Sequence, residues 1–361
     1  MKKEAEKVLK DVNKQFGKDT LISGKDREKL KIEWHSTGLL SLDLATKPNS
    51  GSGGIPKGRI IEIFGPESAG KTTIALSTIA EVQKNDGLVA FFDVEQSYNP
   101  QFADIFGVKT DEIVFSKECI GETVLDTVEA IAKSGKFDLI VLDSVASLPS
   151  GQVIKESNEQ DFVALEPRMW SQAMKKLTQP LSDNDCSLIL INQIREDPST
   201  MYGNPETTPG GHALEHHASM RIRVWQGERY KEKNYDGDKE QIGHEMRIKI
   251  EKNKVGTKGG RTSIDLHYEK GFNLKQDLIN AGIRSGVIEK NGGWLGYTPE
   301  HVEYKVEDKE EIKENGMANF LEEINSQPNS EWIMKEIRHR IWGLDITEFE
   351  VPNIKKEAKA S

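Results

Sequence analysis

Apolar residues recur along the chain with two different periods. From Lys2 to Lys14, Ala5, Val8, Leu9 and Val12 stand three or four positions apart among charges, which predicts a short amphipathic helix ending near Phe16-Gly17. Short continuous apolar runs then appear at Arg59 to Phe64, Leu88 to Val94, Leu139 to Leu142 and Leu188 to Ile191. They are separated by helix-length segments at Thr72 to Asn85, Gly121 to Ser134 and Pro167 to Thr178. Runs this short, with no polar alternation, fit strands buried on both faces. Their alternation with helices predicts an α/β core with a mostly parallel sheet. Two later β-type runs, Glu245 to Glu251 and Ser263 to Tyr268, have no long helix between them and would extend the same sheet as antiparallel strands. Beyond Gly271, short amphipathic helices with glycine-marked ends, including Lys275 to Ala281 and Met317 to Ile324, predict a small α+β C-terminal domain.

The expected division is an N-terminal helix and linker at 1–33, a core at 34–270, a small domain at 271–345 and a flexible tail at 346–361. A chain of 361 residues with 36% hydrophobic content can fill such a core. No run of about 18 apolar residues occurs, and Met1 to Lys10 has no apolar signal region. These features point to a soluble, cytoplasmic protein with no membrane partner. The two cysteines, Cys119 and Cys186, show no CxxC spacing, which argues against a zinc ribbon or disulfide scaffold, and both are expected to be buried small hydrophobes.

The strongest chemical signal is Gly65-Pro66-Glu67-Ser68-Ala69-Gly70-Lys71-Thr72-Thr73, between the first core strand and the first core helix. Glycines at this spacing let backbone N–H groups converge on phosphate oxygens, and the helix N-terminus behind them adds positive potential. ATP with Mg2+ is the implied ligand. Lys71 would reach the β- and γ-phosphates, and the Thr72 hydroxyl would join the Mg2+ shell. Asp143, ending the run Leu139 to Leu142, is placed to support that metal through water. Glu95 follows another strand end and could accept a proton from an attacking water, with Asp93, Asp104 and Glu67 as substitutes. Gln193 ends a further strand and offers an uncharged amide to the γ-phosphate.

Two long connections leave this same edge, Pro149 to Glu166 and Ile194 to Gly211, and connections of that length inside a compact domain are often functional. The net charge of −10 argues at first against nucleic acid, but the charge is unevenly spread. Arg247 to Arg261 carries six basic residues against one acid, whereas His301 to Glu350 carries six against thirteen. The acidity therefore belongs to the C-terminal part, and the core has a basic stripe suited to phosphates.

The motifs taken together resemble bacterial-type RecA recombinases. The matching stretches are KQFGK at Lys14 to Lys18, STGLLSLD at Ser36 to Asp43, GPESAGKTT at Gly65 to Thr73, LIVLDSVASL at Leu139 to Leu148, RMWSQAMKKL at Arg168 to Leu177, INQIR at Ile191 to Arg195, MYGNPETTPGGHAL at Met201 to Leu214 and KNK at Lys252 to Lys254. The resemblance implies a RecA-type ATPase core and a DNA-dependent ATPase that forms a helical homo-oligomeric filament on single-stranded DNA and exchanges it with homologous double-stranded DNA. By the same resemblance Glu95 activates water, Gln193 senses the γ-phosphate, and Lys252 and Lys254 reach the nucleotide of the neighbouring subunit. Phe102 takes the place of an adenine-stacking aromatic, and the N-terminal helix packs on the adjacent subunit. Segments 149–166 and 194–211 correspond to two DNA-binding loops, with Arg168, Ser171, Arg195, Met201, Tyr202, Gly203, Asn204, Gly210 and Gly211 near the DNA.

Departures from the family pattern fall in the DNA loops and at the subunit contacts. Phe162 and Val163 would have to supply the first loop's apolar insertion between bases. Trp225-Gln226 replaces a usual basic pair, leaving Arg247 and Lys249 as candidates for the second-duplex site. His216 replaces an interfacial Phe, and the tail with Lys355, Lys356 and Lys359 is not acidic. The competing readings are a RecA-fold ATPase with another DNA role, a metabolic P-loop kinase and a non-hydrolytic DNA-coating protein, the last disfavoured by Glu95.

Overall fold

The computed structural model describes residues 3–17, 20–26, 31–48, 51–151, 165–196, 206–233, 237–300, 311–327 and 329–344. Residues 1–33 form one unit and 34–361 a second. In the first, α1 (Lys3–Phe16) follows the apolar stripe and carries Glu4 and Glu6 in its first turn and Lys14 in its last, matching the helix dipole. Asn13 folds the following chain back, its side chain bonding both N–H and C=O of Leu21 at 2.7 and 2.9 Å. Val8 and Phe16 are exposed.

The second unit opens with β1 (Trp34–His35) and α2 (Leu40–Thr46), and β1 pairs with β2 (Ile55–Pro56). Then β3 (Ile60–Gly65), α3 (Lys71–Lys84), β4 (Val89–Asp93), α4 (Pro100–Ile105), β5 (Ile113–Ser116), α5 (Gly121–Ser134), β6 (Leu139–Asp143), α6 (Leu165–Asp183) and β7 (Ser187–Gln193) alternate. A small stem of β8 (Arg195–Glu196) and β9 (Glu206–Thr207) leads into α7 (Gly211–His217). The core closes with β10 (Met220–Lys233), β11 (Lys239–Asn253), β12 (Arg261–His267) and β13 (Gly271–Phe272). Among the described residues the central sheet has nine strands in the order β13-β12-β11-β10-β3-β7-β6-β4-β5. From β10 to β5 neighbouring strands run parallel, whereas β11, β12 and β13 are antiparallel additions.

Alternation along each central strand feeds two separate cores. Ile61, Ile63, Val141, Ile189 and Ile222 face α3 on one side, while Ile60, Ile140, Leu142, Leu188 and Leu190 face α5 and α6 on the other. A third cluster belongs to the C-terminal part: α8 (Leu274–Ser285), the antiparallel strands β14 (Glu289–Asn291), β15 (Trp294–Tyr297) and β16 (Ile312–Asn315), then α9 (Met317–Ser326) and α10 (Ser330–Trp342). Helix α2 joins the first and third clusters. Its Leu42 and Ala45 enter the core above α3, while Leu40 packs with Ile279, Phe320, Trp332 and Ile337. The buried carboxylate of Asp277 accepts from the Ser41 N–H, 3.3 Å from each oxygen. This explains part of the STGLLSLD stretch: Asp43 is buried and accepts from Ser36 Oγ, Thr37 N and Thr37 Oγ1 at 2.7, 3.0 and 2.6 Å. Burial pushes its carboxyl up to about 7, against the pull of those hydrogen bonds.

Several expectations change. The run Glu245 to Glu251 lies inside a strand of 15 residues, paired with the 14-residue β10, which periodicity did not mark because its outer half is polar. Helix α6 continues through Pro180 to Asp183, a tolerable loss of one backbone bond in the last turn. The segment from Arg195 to Gly211 is not structureless throughout, since β8 pairs with β9 in the register Arg195↔Thr207. Cys186 is buried as expected, but Cys119 is exposed, lying in the segment between β5 and α5. Residues 346–361, including the tail lysines, lie outside the described residues.

Leu40→Ala tests the α2 junction. It should destabilise the fold by about 2–5 kcal/mol, read as a lower midpoint of urea unfolding followed by circular dichroism.

Candidate active site

The parallel register brings four strand ends to one edge. Gly65 stands opposite Gln193 across β3 and β7, Asp143 opposite Ile191 across β6 and β7, and Asp93 opposite Asp143 across β4 and β6. The loop after β3 turns directly into α3, whose first residue is Lys71. Glycine is required twice here by close approach. A Cβ at Gly65 would come within 1.9 Å of the Val224 carbonyl oxygen, and one at Gly70, where φ is +97°, within 2.6 Å of Met246 Sδ. Gln226 Nε2 donates to the Ser68 carbonyl at 2.8 Å, so the long hairpin of β10 and β11 buttresses the loop from behind.

Lys71 folds onto its own loop, donating from Nζ to the carbonyls of Gly65 (3.1 Å) and Pro66 (2.7 Å). Burial lowers its pKa, while Asp143, Glu95 and Glu67 act to raise it. Thr72 Oγ1 donates to Asp143 Oδ2 at 2.7 Å. Asp143 is buried, which pushes its carboxyl up to about 6; the Thr72 hydrogen bond pulls it back, Glu95 adds repulsion and Lys71 attraction. A desolvated carboxylate joined to a hydroxyl at the foot of a phosphate loop is a donor set suited to a hard, oxygen-preferring cation.

Glu95 is exposed at the same edge and accepts from the hydroxyls of Ser144 and Ser147, the latter at 3.0 Å. Of its alternatives, Glu67 is exposed on the phosphate loop, where its charge acts on Lys71. Asp93 holds the turn after β4 by accepting from the N–H groups of Ser97 (3.0 Å) and Tyr98 (3.1 Å), and Asp104 sits exposed on α4. Gln193 is half-buried, and its N–H donates to Asn192 Oδ1 at 2.9 Å.

A cavity of about 330 Å³ runs from residues 68–73 to an aromatic end formed by Phe102 and Tyr268, with His244 and Leu266 on its wall. Phe102 is held by the Asn99 cap of α4 and stands edge-on to Phe106, ring centres 5.2 Å apart. His244 is buried, which lowers its pKa and keeps the ring neutral, and its Nδ1 lies 3.3 Å from the Tyr268 hydroxyl. Phosphate-binding backbone at one end and flat rings at the other suit a nucleotide. His244, Tyr268 and Gln226 carry no motif, and only the sheet order brings them here.

Lys252 and Lys254 sit together at the end of β11. Both ammonium groups are bound by last-turn carbonyls of α7: Lys252 by Glu215 and His216, Lys254 by His216 at 2.8 Å. Burial, then repulsion from Lys254 and Arg221, pushes Lys252 down to about 8. Arg168 is exposed near the start of α6, in a cleft with Glu122, Asp126 and Lys176, and Ser171 is one turn further on. The first long connection is pinned where it leaves the sheet, Ser150 Oγ and Gly151 N donating to Glu122 at 2.8 and 2.7 Å. Gly210 and Gly211 form the turn into α7. Phe162, Val163, Met201, Tyr202, Gly203 and Asn204 lie outside the described residues. Arg247 and Lys249 are not free cations: each is paired at 2.8 Å along its own strand, with Glu245 and Glu251. Glu245, the partner of Arg247, lies just ahead of the basic run 247–261.

No helix among the described residues is long and apolar enough to cross a membrane. A family model described as the RecA N-terminal domain matches residues 3–273. The chain is 42% identical over 298 residues to "Protein RecA" of Thermus aquaticus, covering 82% of this chain and 85% of the relative. It is 40% identical over 290 residues to "Protein RecA" of Clostridium acetobutylicum, covering 80% of each. With "Protein RecA" of Staphylococcus aureus strain Newman it shares 40% over 319 residues, 88% of this chain and 89% of the relative. The chain belongs to the RecA family.

Proposed function

We propose that each subunit binds ATP with Mg2+ along the cavity from loop 65–73 to Phe102 and Tyr268, and joins a helical filament on single-stranded DNA. As a RecA family member the chain is an ATP-dependent homologous recombination protein and a DNA-dependent ATPase. Relatives that match over most of their length favour this over a metabolic kinase or a different DNA role. The observation that carries the site assignment is the convergence of Lys71, the Thr72–Asp143 pair, Glu95 and Gln193 at one edge.

In this reading incoming phosphates replace the loop carbonyls as partners of Lys71. Thr72 and Asp143 would hold Mg2+, which neutralises phosphate charge when bound. Glu95 accepts the proton of the attacking water, and Gln193 donates its amide to the γ-phosphate. Phe102 and Tyr268 bracket the base. Lys252 and Lys254 of one subunit reach the nucleotide of the next, so each site is completed by a neighbour. The exposed Val8 and Phe16 of α1 support packing of residues 1–33 on an adjacent subunit.

Arg168, Ser171, Arg195, Gly210 and Gly211, at the roots of the two loops, line the path of the single strand, together with Phe162, Val163, Met201, Tyr202, Gly203 and Asn204. Arg247 and Lys249 serve the incoming double-stranded DNA by exchanging their acidic partners for phosphates. The core at 34–270 does the chemistry, the part at 271–345 is an accessory domain, and the cytoplasm is the compartment.

Single-stranded DNA should raise the ATPase rate, more at low salt than at high. Lys71→Ala should lower the stimulated rate by about 100-fold or more; a parent rate that ignores DNA counts against the whole reading. Glu95→Ala and Lys254→Ala should each be inactive alone, yet an equimolar mixture should regain about a quarter of the parent rate, because head-to-tail contacts join intact halves at one junction in about four. Independent subunits would show no recovery. Phe102→Ala should raise half-saturating ATP by about 3- to 10-fold, with Phe102→Tyr near the parent.

A further inference from the structure

A buried polar cluster lies between the Gln193 strand end and the Lys252–Lys254 pair. Glu62, in the middle of β3, is fully buried, and a carboxylate there must be paired. It accepts from Arg221 Nε at 2.5 Å and from Asn192 Nδ2 at 2.8 Å. Asn192, also fully buried, binds the Gln193 N–H through Oδ1 and donates from Nδ2 to the Pro209 carbonyl at 2.9 Å, beside Gly210 at the end of the second loop. Arg221 lies across the Phe64 ring, 4.6 Å from its centre, and extends Nη1 to Glu215 Oε1 at 2.5 Å and Nη2 to Thr208 Oγ1 at 3.3 Å. Glu215 and its neighbour His216 supply the carbonyls that hold Lys252 and Lys254. Register repeats the connection in the backbone: Arg221 stands opposite Glu62 on one side and Lys252 on the other.

We infer that Arg221 is a positioning residue that fixes the last turn of α7, and with it Lys252 and Lys254, to the Asn192–Gln193 strand end. The nucleotide state sensed in one subunit is thereby passed to the lysines that complete the site of its neighbour. The inference rests on the proposed roles of Gln193, Lys252 and Lys254. Its physical basis is that Glu62, Asn192 and Arg221 cannot separate without leaving the buried Glu62 carboxylate or the Asn192 amide short of a partner, so these three move as a unit, and Arg221 carries that unit out to Glu215 on α7. The planar guanidinium, with three separate partners and a ring beneath it, is the hinge of that unit.

The test is complementation in mixed filaments on single-stranded DNA. Arg221→Gln alone should lose about 10-fold or more in stimulated ATPase. An equimolar mixture with Glu95→Ala should then exceed the sum of the separate rates several-fold, because the Glu95→Ala subunits bring intact Arg221 and lysines to sites that keep Glu95. A variant damaged only within its own site gains nothing from such neighbours. If Lys254→Ala is rescued by Glu95→Ala and Arg221→Gln is not, this inference falls and the shared-site reading stands; if neither is rescued, the shared-site reading itself has failed. A parent rate for Arg221→Gln also overturns the inference. Should circular dichroism show Arg221→Gln unfolded, Glu215→Ala carries the same test: it removes the side-chain acceptor of Arg221 while leaving the backbone carbonyl, with about a 3-fold loss expected and the same rescue.

Discussion

Isoleucine, leucine, valine and phenylalanine alternate between two packed faces along β3, β7, β6 and β4, and that alternation holds each strand in one register. A slip of one residue would carry Ile61, Ile63, Val141 and Ile189 from the core above α3 into the core beneath α5 and α6, and bring their neighbours out on the other side. Because the strands are parallel and held this way, their C-terminal ends come out at one edge, Gly65 level with Gln193 and Asp143 level with Ile191, two residues short of Gln193. Gly65, Asp143 and Gln193 are therefore presented together with no side-chain contact needed to align them. The same register sets Glu62, Asn192 and Arg221 on one face, where polar residues in adjacent strands can satisfy one another.

The loop after β3 depends on a second constraint, the hairpin of β10 and β11 against its back. Val224 and Met246 press so close to Gly65 and Gly70 that neither position accepts a side chain. Gln226 holds the Ser68 carbonyl. The free N–H groups at the start of α3 are thus aimed by packing from strands that come some 150 residues later in the chain. Preorganised donors of this kind need little rearrangement when phosphate arrives.

What could be read in the chain divides along the same line. Loop 65–73, Asp143, Glu95 and Gln193 were legible because each sits within a few residues of an apolar run, and a run buried on both faces already implies a strand with a known exit. Tyr268, His244 and Gln226 were not, since their place depends on the order β12-β11-β10-β3, which no local pattern contains. Strand β10 was missed for a related reason: only Met220, Ile222 and Val224 are buried, and the rest of the strand runs polar to Lys233. The Glu62–Arg221 pair was equally hidden, because a lone glutamate between isoleucines reads as nothing until its partner strand is known.

Charge follows from these placements rather than from composition. In this subunit the cations near the functional edge are held by partners within the chain: Arg223 by Glu206, Arg247 by Glu245, Lys249 by Glu251, Lys71 by loop carbonyls and Lys252 by the end of α7. The pairs along the sheet surface are partly exposed, so each is worth only about 0–1 kcal/mol, and a phosphate that offers a full charge in exchange displaces the acid at small cost. Arg221 differs. Its side chain is 12% exposed and its partner Glu62 is fully buried, so taking it away would strand a carboxylate in the interior. The surface pairs can therefore exchange partners at small cost, while the buried pair ties β3 to β10 and, through Glu215, to α7.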